Sequence, residues 1–81
     1  MADVEAWLQD VGAALGVDAE SLLPEDVRNE MLGLTGDIAH RVVRLAVPWT
    51  SYLIGVAVGR GASPEEALRI VAAALPKGNE Q

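Results

Sequence analysis

The longest uncharged stretch constrains the fold of this chain more than any other feature. It covers the fifteen residues between Arg44 and Arg60. A helix needs about 20 mostly apolar residues to cross a bilayer, so we predict that this stretch does not span a membrane. Pro48 is suited to the first turn of a helix, and apolar residues then lie nearly all round the helix until Gly59. We therefore predict a helix over 48–59 that the other helices surround.

Local start and stop signals divide the rest of the chain into further helices. Asp3 is a predicted N-cap for a first helix that ends at Gly16, and Pro24 begins a second helix that should run to about Arg44. The Ser-Pro-Glu-Glu sequence of residues 63–66 is a capping box and begins the last helix. Since no segment shows a convincing strand pattern, we predict an all-α, compact four-helix domain with a central apolar third helix.

The chain is long enough for one domain. We expect a single helical domain over 1–81, with an ordered core at about 3–76 and a frayed C-terminal tail at 77–81. Residues 18–21 are interpreted as a single capped turn between the first two helices. Because 51% of the residues are hydrophobic and a small chain has little interior, we expect a homodimer that buries parts of the second or third helix.

Two residue types limit the chemistry. The chain has no cysteine and one histidine, which excludes a thiolate nucleophile, a disulfide and a multi-histidine metal site within one chain. No motif positions a serine or threonine as a nucleophile, and no glycine-rich phosphate loop follows a strand. We therefore expect no catalytic activity, no metal and no cofactor.

Charge is distributed unevenly along the chain. The net charge is −6, which disfavours nucleic acid and anionic membranes as partners. Residues 1–37 hold nine acids and one arginine, whereas residues 38–81 hold three acids and five basic residues. This difference is compatible with head-to-tail self-association, with a basic partner, or with ordinary solvated helix faces, which is the interpretation we favour. The acidic N-terminal residues do not resemble a secretion signal, and we expect a cytoplasmic protein.

One group of polar residues gathers on the second predicted helix. Asp37, His40, Arg41 and Arg44 share one face at helical spacing, so we predict that Asp37, His40 and Arg44 form a connected cluster. The cluster is a candidate interaction or ligand face for a protein partner or a small molecule. A general base at His40 and a purely structural network are the alternatives.

Small residues and aromatic residues mark two further features. Ser51, Gly55 and Gly59 recur every four residues, and Gly33 and Gly36 offer a matching groove, so these five are candidates for close helix packing inside the chain. The aromatic residues are Trp7, Trp49 and Tyr52, and we expect them to fill core volume. For Trp49 the alternative is a partly exposed anchor for a partner.

Two segments carry a resemblance to a known family. They are Leu34-Thr35-Gly36-Asp37-Ile38-Ala39-His40 and Arg44-Leu45-Ala46-Val47-Pro48-Trp49-Thr50-Ser51-Tyr52-Leu53-Ile54-Gly55-Val56-Ala57-Val58-Gly59. The chain resembles a bacterial family of small helical domains of unknown function, found alone or fused behind the molybdenum cofactor guanylyltransferase that makes molybdopterin guanine dinucleotide. The likeness extends from Val4 to Leu75. Where the family pattern has a proline directly after the arginine, this chain has Leu45, which favours a longer second helix.

The resemblance implies an accessory role without a reaction of its own. It suggests a cytoplasmic domain near molybdenum cofactor biosynthesis, with the guanylyltransferase as a possible partner. The family supplies no active-site residues to transfer to this chain. The transferase is a much larger α/β enzyme with a glycine-rich nucleotide loop, and this chain carries none of that machinery.

Overall fold

The computed structural model describes residues 3–77, and in that range the chain is built of α-helices without a strand. The all-α prediction is confirmed. The helices are α1 (Val4–Leu15), α2 (Ala19–Leu22), α3 (Glu25–Arg41), α4 (Ala46–Gly59) and α5 (Pro64–Ala74). Residues 78–81 of the predicted frayed tail lie outside the described range.

The described part of the chain has five helices where the sequence predicts four. The additional one is α2, a single turn that the sequence analysis assigned to a capped turn. The Glu20 N–H donates to Asp18 Oδ1 at 3.2 Å, which holds the start of this turn. The difference in number therefore comes from one short segment whose local capping was correctly predicted.

The predicted caps at Asp3, Gly16 and Ser63 are present, but in residues 3–77 the Glu66 side chain accepts no hydrogen bond from the Ser63 N–H, so the capping box is half formed. The Glu5 N–H donates to Asp3 Oδ1 at 3.0 Å, and the Glu66 N–H donates to Ser63 Oγ at 3.0 Å. Gly16 ends α1 with φ 79°, a left-handed conformation that costs glycine little. Each of these ends is set by groups two or three residues apart, so it can be predicted without the tertiary structure.

The junction between α3 and α4 differs from the prediction. Helix α3 ends at Arg41 instead of continuing towards Leu45, because Val42 leaves the helical conformation with ψ −86°. Helix α4 begins at Ala46, two residues before Pro48. Proline is tolerated there because the N–H groups of the first helical turn have no partner within the helix.

Helices α3, α4 and α5 pack against one another in pairs, whereas α1 packs against α2. Within the described range, no Cα atom of α1 lies within 8 Å of a Cα atom of α3, α4 or α5. Leu23, at the end of α2, packs against the core and so connects the two groups. The molecule is thus a three-helix core with a two-helix arm.

Six hydrophobic side chains form the buried core: Val27, Leu34, Ile38, Ile54, Ala67 and Leu68. Helix α3 supplies three of them, α5 two and α4 one. The prediction of an apolar third helix surrounded on all sides is therefore wrong for the single chain, since α4 buries only Ile54 fully. In the described part of the chain, no helix is both long enough and apolar enough to cross a bilayer.

The single chain is extended for its length. Its Cα radius of gyration is 13.6 Å, compared with about 12 Å for a typical domain of this length. Its accessible surface is 6124 Å², compared with about 4,700 Å² for a monomeric protein of this mass. The separated arm and the half-covered α4 both leave apolar side chains in contact with solvent.

Candidate functional site

The outer face of α4 carries a row of large apolar side chains. Trp49, Tyr52 and Leu53 are 64%, 72% and 65% exposed, and Leu45 and Val56 extend the row at both ends. The spacing of three and four residues places all five on the side of the helix opposite Ile54. We refer to these five residues as the α4 stripe.

A second apolar face lies on α1. Its members are Val4, Trp7, Leu8, Val11 and Leu15, and their spacing of three and four residues places them on one side of the helix. Leu8 and Val11 are half-buried, whereas Val4, Trp7 and Leu15 are exposed. This α1 face has no counterpart among the core helices because α1 packs only against α2.

The prediction that the aromatic residues fill core volume is wrong. Trp7, Trp49 and Tyr52 are all more than 60% exposed. The alternative of an exposed Trp49 agrees with the structure. A signal for this exposure is present in the sequence: on α4 the bulkiest residues share one side, and the small residues Thr50, Ser51 and Ala57 lie on the other.

The chain segments that contain the two apolar faces carry charges of opposite sign: the arm is acidic and the segment with α4 is basic. Residues 3–23, which include α1 and α2, carry five acids and no basic residue. Residues 38–64, which include α4, carry three arginines and no acid. Arg44 and Arg60 bracket the α4 stripe in the sequence. The arm and the α4 surface are therefore electrostatically complementary.

The predicted polar cluster does not form. Asp37, His40, Arg41 and Arg44 are all exposed, and within residues 3–77 no hydrogen bond or ion pair joins them. Since α3 ends at Arg41, Arg44 does not continue the face that Asp37 and His40 occupy. The prediction of a connected cluster is wrong: Arg44 lies beyond the end of α3, and Asp37 and His40, although on the same helix, are both exposed and make no hydrogen bond to each other.

Asp37 instead lines a shallow groove between α3 and α5. The groove has a volume of about 360 Å³ and also contains Glu30, Glu65 and Arg69. It is open and mainly acidic. Among residues 3–77, no group of three histidine, cysteine or carboxylate side chains is arranged to hold a metal ion.

The glycine positions proposed for close helix packing have no close neighbour in the chain. A Cβ atom built on Gly33, Gly36, Gly55 or Gly59 would have no non-local heavy atom within 4 Å among the described residues. The predicted internal packing at these positions is therefore wrong. The reason is that these glycines face away from the neighbouring helices, and Ser51 is only half-buried. The close approach occurs at Gly12, which contacts Ala19 on α2.

A cleft between the arm and the start of α3 contains a residue that the sequence analysis did not select. It has a volume of about 380 Å³, and its lining includes Glu5, Glu20, Glu25 and Arg28. Arg28 Nη2 lies 3.3 Å from Glu5 Oε2. The signal available in the sequence is that Arg28 is the single basic residue among residues 1–37.

The comparisons with known proteins give one match. A family model described as a domain of unknown function (DUF6457) matches residues 1–80. The curated proteins and the solved structures, compared in the same way, contain no match to the chain.

Proposed function

We propose that the chain, which belongs to the DUF6457 family of domains of unknown function, is a non-catalytic protein-interaction domain. The proposal is based on its surface. The observation that supports this role is the α4 stripe. Contiguous exposed apolar side chains are uncommon on isolated soluble proteins and mark contact sites. Tryptophan and tyrosine are also the residues most enriched among those that dominate interface energies.

The alternative role is a small-molecule binding protein that uses the face of Asp37, His40 and Arg44. Ligand sites are usually concave and enclose most of the ligand. These three side chains are exposed and not joined to one another, which makes the interaction role the better supported of the two. The groove beside Asp37 is shallow and acidic, so it offers little to an anionic ligand.

Photo-crosslinking tests the interaction role. A photoreactive amino acid replaces Tyr52 in cells that produce the protein, and a second variant carries it at Asn29, which is an exposed polar position on α3. We expect a protein adduct at position 52 and none at position 29. Absence of an adduct at position 52 and at the neighbouring position 49 would contradict the interaction role.

We infer a more specific role from the resemblance over residues 34–59, namely an accessory function close to molybdenum cofactor guanylyltransferase in the cytoplasm. The segment that carries the resemblance includes all five residues of the α4 stripe, which supports the enzyme as a partner for that surface. The test is a titration of the purified chain with the purified transferase. Binding that Tyr52→Asp abolishes supports this role, and no binding at high micromolar concentration rejects it.

A further inference from the structure

We propose that the α4 stripe of one chain binds the α1 face of a second copy. The contact is reciprocal, so that the arm of each copy packs against α4 of the other, and we call this pairing the exchange. This inference rests on the proposed interaction role and names the partner. Both surfaces are helix faces with several large apolar side chains exposed in residues 3–77, and each chain provides one of each. A two-fold symmetric pair would cover both faces on both chains with a single kind of contact.

The surface area of the chain agrees with a second copy. The accessible surface exceeds that of a typical monomer of this mass by on the order of 1,000 Å². A standard protein interface buries roughly 800 Å² on each partner, and homodimer interfaces are often larger. A dimer interface of this size would therefore remove a large part of the excess surface of each chain from solvent.

The dimensions of the two faces match. Val4 and Leu15 are the ends of the α1 face, and Leu45 and Val56 are the ends of the α4 stripe. Each pair is separated by eleven positions, which corresponds to about 16 Å along a helix. Gly55 adjoins the stripe without a close neighbour of its own, so a partner helix can approach there.

Charge favours the contact between the α1 face of one copy and the α4 stripe of the other over a symmetric α4–α4 contact. The arm carries five acids and no basic residue, whereas the segment with α4 carries three arginines and no acid. Two α4 surfaces would place arginines near arginines. An arm on an α4 surface places carboxylates near Arg44 and Arg60, which lowers the free energy of association and selects this pairing.

A mixing experiment with three variants tests the exchange. Trp7→Asp damages the α1 face, Tyr52→Asp damages the α4 stripe, and Leu32→Asp is the matched control on the exposed side of α3. We expect the wild-type chain and the control to sediment as dimers at micromolar concentration. Each of the other two variants alone should dimerise about tenfold or more weakly. Circular dichroism should show unchanged helix content in all of them.

Mixing the two damaged variants separates the pairings. The chain with the Tyr52 change keeps an intact α1 face, and the chain with the Trp7 change keeps an intact α4 stripe. An equimolar mixture should therefore form heterodimers more tightly than either variant forms homodimers. Normal dimerisation of Trp7→Asp, or no gain on mixing, would overturn the exchange.

A monomeric wild-type chain at high micromolar concentration would also overturn it. The crosslink at position 52 remains a separate readout in that case. An adduct with another protein would then support the interaction role while the second copy is rejected, and no adduct would reject both.

Discussion

Arg28 Nη2 lies 3.3 Å from Glu5 Oε2, and this ion pair joins the arm to α3 across twenty-three positions of sequence. It is the one direct side-chain hydrogen bond between α1 and the three-helix core in residues 3–77. Arg28 is partly buried, and its Nε atom has no hydrogen-bond partner there, whereas Glu5 is exposed. The arm is therefore positioned by one polar contact and by Leu23 at the end of α2.

The first prediction concerns this ion pair. The substitution Glu5→Gln should lower the free energy of unfolding by less than about 1 kcal/mol, because Glu5 is exposed and solvent screens its attraction to Arg28. Amide hydrogens of α1 should nevertheless exchange faster, since the arm loses its polar contact with α3. Asp10→Asn is the matched control on the same helix. Equal exchange rates in the two variants would show that the pair does not position the arm.

The second prediction compares two leucines on α3. Leu34 is 7% exposed in the core, whereas Leu32 is 70% exposed. Leu34→Ala should lower the free energy of unfolding by about 2–5 kcal/mol because it leaves a cavity, and Leu32→Ala should change it by less than about 0.5 kcal/mol. Urea unfolding followed by circular dichroism measures both values. Similar losses in the two variants would contradict the assignment of the core.

The third prediction compares two glycines. A Cβ atom on Gly12 would lie 2.8 Å from the carbonyl oxygen of Val17, so Gly12→Ala should destabilise the contact between α1 and α2. Gly33 lies inside α3 with no neighbour within 4 Å, so Gly33→Ala should raise the free energy of unfolding by about 0.5–1 kcal/mol. Thermal unfolding shows the sign of each change. A lower melting temperature for Gly33→Ala would indicate that a neighbour covers this position.

The fourth prediction concerns His40. Since it is exposed and no hydrogen bond in residues 3–77 involves its side chain, His40→Ala should change the free energy of unfolding by less than about 0.5 kcal/mol. A structural hydrogen-bond network at this position is one of the alternatives that the sequence pattern allows. A loss of 1 kcal/mol or more in urea unfolding would restore that interpretation, and Leu34→Ala provides a reference for a truly buried side chain.

The helix ends show how much the sequence alone determines. Asp3, Gly16 and Ser63 are placed as predicted because each acts on backbone groups two to four residues away. Such hydrogen bonds depend on local sequence and not on the rest of the fold. The all-α class follows from the same local signals together with helical periodicity.

The tertiary structure alone decided which side of each helix is covered. Helix α4 is apolar nearly all round, so its hydrophobic periodicity does not show which side packs, and contacts with α3 and α5 select Ile54 as the buried residue. The polar cluster depended on an unbroken helix through residue 44, and a non-helical Val42 ended that helix early. Burial depends on which helices meet, and on α1 and α4 part of the apolar pattern is left exposed by the helices of the described chain.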